Sequence, residues 1–286
     1  MVSTGSTNDL RISFERRAEL TLSAARVAAL YRYPVKGFSA ERRSSLDVLP
    51  SGKVAGDRVL AFRFGGIEVL GDAWSPKATM LCLMNTPGLA TLTLALDQDQ
   101  GCVSVGSEGR TLAEEALDAA GRQRLAEKLA EFALSLPENP LVGHPERLPL
   151  QLVGDGVTPR YHDSEKGEVT LHSRESIQAL AAALGGELDE VRFRSNIAVE
   201  GVKPWGELAW VGRRVRIGRC LYEVTRVKGR CLATHANPTT GVRDLPILTT
   251  LTHAFDQEQP TFAVSMRPLG EGGRIMVGDD VELLDV

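Results

Sequence analysis

Residues 226–251 read RVKGRCLATHANPTTGVRDLPILTTL, and this stretch places Cys231 between a predicted strand and a predicted turn. The run that leads into it, CLYEVTRV at 220–227, is rich in the β-branched and aromatic residues that favour strands. The run that follows, NPTTG at 237–241, combines proline and glycine with side chains that bond the local backbone, which is typical of turns. The stretch therefore predicts a strand that ends close to Cys231.

Cationic side chains flank this cysteine. Arg230 precedes it directly, and Lys228 lies three residues upstream. Neighbouring cations in general favour the thiolate form of cysteine, which is both the nucleophile and the metal ligand. The pattern leaves a second interpretation open, because free cysteine is among the most buried residue types and is commonly an inert core residue.

The composition describes an ordinary globular protein. A chain of 286 residues allows one or two domains, and 43% hydrophobic with 24% charged residues is typical of folded proteins. The formal net charge of −4, with arginines scattered along the chain, indicates neither a nucleic acid partner nor a membrane surface. No apolar run reaches the roughly 18 residues of a membrane span.

Cysteine usage and the N-terminus predict the compartment. The four cysteines form no C-x-x-C pair, which argues against a disulfide framework, a zinc ribbon and a thioredoxin-type motif. The first 20 residues are polar and lack the apolar segment of a signal peptide. We therefore predict a cytoplasmic protein with a flexible tail over residues 1–25.

Local signals predict two helices. Thr111 and Glu114 match a capping box, so the first helix is expected to begin there and to end before Pro137. Ser173 is a favourable N-cap for the second helix, which Gly185 would end. A helix N-terminus at Ser173 would also be a ready site for an anion.

Short apolar runs between turn residues fill most of the remaining chain, which predicts an α+β, β-rich fold. Prolines and glycines cluster at 140–149. This cluster predicts a boundary between an N-terminal domain over residues 26–145 and a C-terminal domain over residues 146–286.

The order of motifs along the chain resembles a known family. The pattern around Cys231 is similar to the signature of the MOSC domain, the C-terminal domain of molybdenum cofactor sulfurases; its residues are Arg230-Cys231, Thr234, Asn237-Pro238 and Thr240-Gly241. Further stretches resemble the family's upstream motifs and its preceding domain: Tyr33-Pro34-Val35-Lys36-Gly37, Gly56-Asp57-Arg58, Arg192-Phe193-Arg194-Ser195-Asn196 and the pair Val211-Gly212 with Ile217-Gly218. The resemblance covers about residues 27–286, and the ordered set is more specific than any single motif.

The resemblance implies a fold and a cofactor. It implies an N-terminal β-barrel-like domain followed by a MOSC β-barrel with a few peripheral helices. In molybdenum-binding relatives, which include the mitochondrial amidoxime-reducing component, the cysteine that matches Cys231 is the metal ligand. The implied cofactor is therefore the molybdenum cofactor, molybdenum held by molybdopterin. The residues implied to bind it are Lys36, Arg58, Thr170, His172, Ser173, Arg192, Arg194, Asn196 and Arg230.

Three departures from the family pattern affect the expected chemistry. Many relatives have Cys-x-Arg-Cys, and Lys228 stands here in place of the first cysteine. Asn237 replaces an aspartate that some relatives have, and an amide cannot relay a proton. His235 replaces a threonine and is either an exposed loop histidine or a catalytic proton donor near the metal.

The resemblance leaves three functions open. The first is an oxidoreductase that reduces N-oxygenated small molecules of the hydroxylamine or amidoxime type. It would take electrons from a separate reductase, a flavin or iron–sulfur protein, because no iron–sulfur run of cysteines is present. The second is a sulfur carrier with a persulfide on Cys231, and the third is a non-catalytic carrier of the molybdenum cofactor.

Overall fold

The computed structural model describes residues 25–67 and 74–284. The tail predicted over residues 1–25 lies outside the described residues, apart from residue 25. The strands are β1 Arg26–Arg32, β2 Glu41–Arg43, β3 Ser45–Val48, β4 Ala61–Arg63, β5 Leu92–Asp97, β6 Cys102–Ser107, β7 Arg110–Ala116, β8 Gln151–Val153, β9 Val169–Ser173, β10 Ile197–Glu200, β11 Arg214–Ile217, β12 Cys220–Gly229, β13 Thr261–Pro268, β14 Gly273–Met276 and β15 Val281–Leu284. The helices are α1 Ala119–Ser135, α2 Arg174–Leu184 and α3 Ile247–Ala254.

A mixed eight-stranded sheet is the largest element, and it confirms the α+β, β-rich class. Its strand order is β15-β11-β12-β13-β9-β10-β1-β2, with β9 and β10 parallel and the other neighbours antiparallel. Its central strands carry near-continuous buried side chains, as expected of strands covered on both faces.

The described sheet is open, whereas the resemblance implies closed barrels. Its edge strands, β15 and β2, do not pair with each other in the described part of the chain. β2 is three residues long and reads ERR, and short charged strands are typical of sheet edges, where they discourage further pairing.

Two strand pairings cross the predicted boundary at residues 145–146. β1 pairs with β10 antiparallel, from Arg26 opposite Glu200 to Leu30 opposite Ile197. β4 pairs with β8, with Phe62 opposite Leu152. Segments from both sides of the boundary therefore share backbone hydrogen bonds, and this arrangement brings the motif at 33–37 next to the motifs after residue 190.

The predicted start of the first helix is wrong. Thr111 and Glu114 lie in β7, which pairs with β6 over six partners and buries Ala113. The helix α1 begins after Asp118, whose carboxylate accepts a hydrogen bond of 2.7 Å from the Gly121 N–H. The capping box is a purely local signal, and pairing with β6 satisfies the same backbone groups while burying apolar surface. The predicted end before Pro137 is confirmed, since α1 ends at Ser135.

The second predicted helix is confirmed at both ends. Ser173 Oγ accepts the Ser176 N–H at 3.1 Å, and Gly185 ends α2 in the left-handed region with φ 77. Its apolar face packs against α3 and against the aromatic pair Phe193 and Phe262, whose ring centroids are 3.9 Å apart. This packing fixes the backbone on both sides of residues 192–196.

Candidate functional site

One cavity is lined by segments from both sides of the predicted boundary. It lies among the turn after β1, the turn near residue 58, the segment 77–84, the loop 162–168, the residues before β10 and the end of β12. Eight of the predicted site residues line this cavity: Lys36, Arg58, Thr170, Arg192, Arg194, Asn196, Arg230 and Cys231.

Cys231 lies half-buried at the end of β12, where the chain turns into a short 3-10 helix over Leu232–His235. Its carbonyl accepts hydrogen bonds from the Thr234 N–H at 3.0 Å and the Thr234 hydroxyl at 3.1 Å. Lys77 approaches the sulfur: burial disfavours its charge, yet Cys231, Asp163 and Cys82 together raise the pKa of Lys77. The thiol therefore has a fixed backbone and a cation beside it.

Arg230 is held by main-chain carbonyls. Its Nε donates to the Phe262 carbonyl at 2.7 Å, and its Nη1 donates to the Phe193 carbonyl at 2.9 Å. β12 and β13 change register next to this point, at Ala263, which has φ 70. A positive φ at a residue with a side chain costs about 1 kcal/mol or more and persists where the surroundings enforce it. Arg230 thus ties the cysteine loop to the aromatic pair.

Two arginines stack on the ring of Tyr33. The guanidinium carbons of Arg58 and Arg194 lie 4.8 and 4.3 Å from the ring centroid. Arg58 Nη2 donates to the Arg194 carbonyl at 3.1 Å, and both residues have left-handed backbones with φ 52 and φ 54. Burial and the neighbouring Arg58 lower the pKa of Arg194 to about 10. Two guanidinium groups so close together favour an anionic ligand between or beside them.

A buried carboxylate, Asp57, and an exposed one, Asp163, orient the cations on one side of the cavity. Asp57 is fully buried; it accepts the Tyr33 N–H at 2.7 Å and pairs with both Arg58 and His162, whose Nε2 lies 3.2 Å from the carboxylate. Lys36 donates to the Asp163 carboxylate at 2.6 Å. These pairs hold Arg58 and Lys36 in place but also neutralise part of their charge.

Three predicted residues in the cavity wall bond mainly to the protein itself. Asn196 accepts from the Thr170 hydroxyl at 3.2 Å and donates to the Tyr31 carbonyl at 3.2 Å. Arg192 donates to the His235 carbonyl and to Asp244, which also accepts from Asn237. Arg192 therefore anchors the loop that follows Cys231.

The cavity carries an excess of positive charge. Seven cationic side chains line it but only two acidic ones, Asp163 and Glu168. Within the described residues, four of the cations have no carboxylate within 4 Å: Lys77, Arg194, Lys228 and Arg230. Arg194 Nη2 is also buried without a hydrogen-bond partner. Unpaired buried cations are costly without a ligand, so this cavity suits an anion.

The Lys228 charge is unfavourable in the empty cavity. Burial, together with Arg230 and Arg226, lowers the pKa of Lys228 to about 8. A lysine whose pKa is lower in the folded than in the unfolded state penalises folding below the folded pKa. The penalty declines as the pH rises from about 8 towards the ordinary value near 10.4.

We therefore expect Lys228→Met to stabilise the cofactor-free protein. At pH 7 its melting temperature should rise by about 2–4 °C, because methionine keeps the apolar stem and removes the repelled charge. At pH 9.5 the gain should be much smaller. Differential scanning calorimetry at both pH values measures this, with the exposed lysine variant Lys203→Met as control. Equal melting temperatures of wild type and Lys228→Met at pH 7 would contradict the conclusion that the Lys228 charge destabilises the empty protein.

Three predicted site residues do not line the cavity. Ser173 caps α2, and its N–H donates to the fully buried Glu207. His172 is buried with Nε2 3.3 Å from Glu190. His235 Nε2 accepts the Leu248 N–H at 3.2 Å, so that nitrogen serves as an acceptor. The helix N-terminus at Ser173 is thus occupied by the protein's own groups.

The cavity also contains residues that the sequence did not indicate. The sequence did not indicate Lys77, Cys82, His162 or Asp163, and it mentioned Lys228 only as a neighbour of Cys231 and not as a site residue. Most lie in loops without a recognisable motif, and their side chains meet the cavity only through tertiary contacts. Cys82 is 6% exposed, and burial raises the pKa of its thiol. Cys231 is the more accessible of the two cysteines.

The described residues contain neither a metal-binding cluster of protein side chains nor a membrane-spanning helix. No group of three or more His, Cys, Asp or Glu side chains could hold a metal ion in the described ranges. No helix there is long and apolar enough to cross a membrane. A metal at Cys231 would therefore need most of its ligands from a cofactor, and the cationic cavity around the Cys231 thiol fits an anionic cofactor that brings them.

Comparison with known proteins gives a family and two distant structural similarities. No curated protein matches the chain. The YuaD protein from Bacillus subtilis is 11% identical, with 91% of this chain and 95% of that chain covered and a TM-score of 0.38. YiiM from Geobacillus stearothermophilus is 14% identical over 41% of this chain and 54% of that chain, with a TM-score of 0.30.

The family model for the MOSC domain matches residues 158–282. The match begins at the loop that supplies His162 and Asp163 to the cavity and includes Arg194, Arg230 and Cys231. The motifs quoted for the resemblance after residue 190 all lie within it. Residues 158–282, a little under half of the chain, therefore match the MOSC domain family.

Proposed function

We propose that this protein binds the molybdenum cofactor and reduces N-oxygenated small molecules, such as hydroxylamines and amidoximes. One observation supports the proposal most directly: the same cavity is lined by a half-buried thiol and by four cations that have no carboxylate partner in the described part of the chain. MOSC domains are associated with binding of the molybdenum cofactor. The reduction consumes two electrons and two protons and releases water from the N–O group.

The residues of the cavity have separable roles in this proposal. Arg58 and Arg194 bind the phosphate of the cofactor, since guanidinium groups offer paired donors to phosphate oxygens. Lys36 contributes a further charge from the same side. Cys231 supplies a thiolate ligand to molybdenum, a metal that prefers soft ligands. The cofactor, when bound, supplies the two-electron redox chemistry.

Further residues position these groups. Arg230 holds the backbone before Cys231 through the Phe262 and Phe193 carbonyls. Lys77 places a cation beside the Cys231 sulfur. The electrons come from a separate reductase, a flavin or iron–sulfur protein, because no group of cysteines in the sequence suits an iron–sulfur cluster.

The test begins with wild-type protein made in a host that synthesises the cofactor. Molybdenum is measured by elemental analysis, and pterin by fluorescence after oxidation. Reduction of benzamidoxime to benzamidine is then measured with a chemically reduced viologen as electron donor. We expect near-stoichiometric molybdenum and pterin, and product formation that is lost in protein from a cofactor-deficient host. Bound cofactor without any benzamidine would contradict the reductase activity and favour a non-catalytic carrier.

A sulfur carrier is the second candidate, and the contact between Lys77 and Cys231 supports it. A thiolate next to a lysine can hold a terminal sulfur atom as a persulfide and transfer it to an acceptor thiolate, which leaves the Cys231 thiolate behind. This function needs no bound metal. Protein without molybdenum or pterin, but with cyanide-labile sulfur on Cys231, would favour it over the reductase.

A further inference from the structure

Lys228 differs from the other cations of the cavity. Each of the others has a hydrogen bond or ion pair: Lys36 with Asp163, Arg58 with Asp57, Lys77 with Cys231, Arg192 with Asp244, Arg194 with the Phe38 carbonyl and Arg230 with the Phe262 carbonyl. Within the described residues, the Lys228 ammonium has neither a hydrogen bond nor an ion pair, although it lines the cavity and is half-buried. An ammonium without a partner in such a place is available to a ligand.

The position of Lys228 in β12 places it in the cavity wall. Val227, the residue before it, is exposed, and because side chains alternate along a strand it belongs to the opposite face. Arg226, two residues earlier and on the same face as Lys228, is already paired with Glu168. Among the described residues, Lys228 is therefore the half-buried and unpaired cation of this face, on the strand that leads to Cys231.

The chemistry of the side chain indicates the charge of the ligand group. A single ammonium is a compact point charge with one positive charge, which a carboxylate with one negative charge balances in a single ion pair. The dianionic phosphate of the cofactor is matched better by the two guanidinium groups on Tyr33. Lys228 is thus in excess of the groups that the cofactor phosphate needs.

We propose that Lys228 binds a carboxylate of the substrate, so that the protein selects N-oxygenated compounds that carry a carboxylate. This inference rests on the proposed function and names its substrate class. Lys228 is a specificity-determining residue, because it contacts the charged end of the substrate and leaves the N–O group free to reach the Cys231 end of the cavity.

A pair of probes tests the proposal. Dissociation constants of 4-carboxybenzamidoxime and of uncharged benzamidoxime are measured by isothermal titration calorimetry on cofactor-loaded protein at pH 7. Wild-type protein should bind the carboxylated probe roughly tenfold more tightly, the range of one charge-assisted hydrogen bond. In Lys228→Met the ratio of the two constants should fall to about one, whereas Lys228→Arg and the surface control Lys203→Met should keep a preference.

The outcomes separate this inference from the proposed function. A ratio near one in wild type, no measurable binding of either probe, or an unchanged ratio in Lys228→Met would each overturn the inference. Loss of pterin in Lys228→Met would also overturn it, because the lysine would then hold the cofactor phosphate. Failure of the proposed function would be seen in different measurements, namely the absence of molybdenum in elemental analysis or the absence of benzamidine in the reductase assay of wild-type protein.

Discussion

Cys231→Ser should lose most of its molybdenum while it still folds. We expect molybdenum per chain to fall more than about tenfold relative to wild type, because serine removes the soft thiolate ligand and the described residues contain no cluster of three or more His, Cys, Asp or Glu side chains that could hold the metal instead. Pterin content should fall less, since the arginines that would hold the phosphate are unchanged. Elemental analysis and oxidised-pterin fluorescence on the same sample measure both quantities.

A matched cysteine variant controls for general effects. Cys102→Ser changes a thiol in β6, which belongs to a separate three-stranded sheet and does not line the cavity. It should keep wild-type molybdenum. Wild-type molybdenum in Cys231→Ser would show that the metal ligand lies elsewhere, and a loss in both variants would indicate a folding defect.

Arg194→Ala should lose the pterin itself. Its guanidinium stacks on Tyr33 and has a buried nitrogen, Nη2, without a partner, so it is placed to donate to an anion. Loss of a charge-assisted hydrogen bond of this kind costs about 1.5–3 kcal/mol, so retention of pterin through purification should fall by about tenfold or more. Molybdenum should fall in parallel, because the metal is held by the pterin.

The controls for Arg194→Ala address charge and stability. Arg274 is exposed and pairs with Asp47 at the surface, so Arg274→Ala should keep wild-type pterin content. Arg194→Lys keeps the charge and should retain more pterin than Arg194→Ala. Arg194→Ala and Arg194→Lys both keep a Cβ atom at a position with φ 54, so the backbone strain there stays the same. Unchanged pterin in Arg194→Ala would place the phosphate site elsewhere in the cavity.

Two local signals of equal strength gave opposite results. Ser173 predicted a helix start correctly, and the Ser173 hydroxyl makes the expected bond to the Ser176 N–H. Thr111 predicted a helix start incorrectly, because its backbone is taken into the ladder with β6. A capping signal states only which backbone groups could be satisfied locally. Competition from a neighbouring strand is a tertiary effect, and no local pattern reports it.

The candidate site likewise combines features that the sequence predicted with features that depend on tertiary contacts. Motif order placed Lys36, Arg58, Arg194 and Cys231 in one site, and all four line the cavity. The sequence could not separate residues that face the cavity from residues that face the core beside it. His172 and Ser173 are neighbours of Thr170 along β9, yet they bond to Glu190 and Glu207 instead. Strand alternation turns Ser173 away from the face of Thr170, whereas His172 shares that face and is kept from the cavity by its contacts with Glu190 and Phe262.

By itself, the sequence determined the β-rich class, the turn after Cys231, the ends of α2 and the match of residues 158–282 to the MOSC domain family. These follow from local conformational preferences and from motif order, which the chain carries without reference to its partners. Only the tertiary structure decided that β1 and β2 join the sheet of the second half and that α1 begins at Ala119, after its N-cap Asp118. It also decided that Lys77 lies against Cys231 and that Lys228 has no hydrogen-bond or ion-pair partner among the described residues. Strand pairing, side-chain burial and ion pairing depend on residues far apart in sequence, and these contacts exist only when the chain is folded.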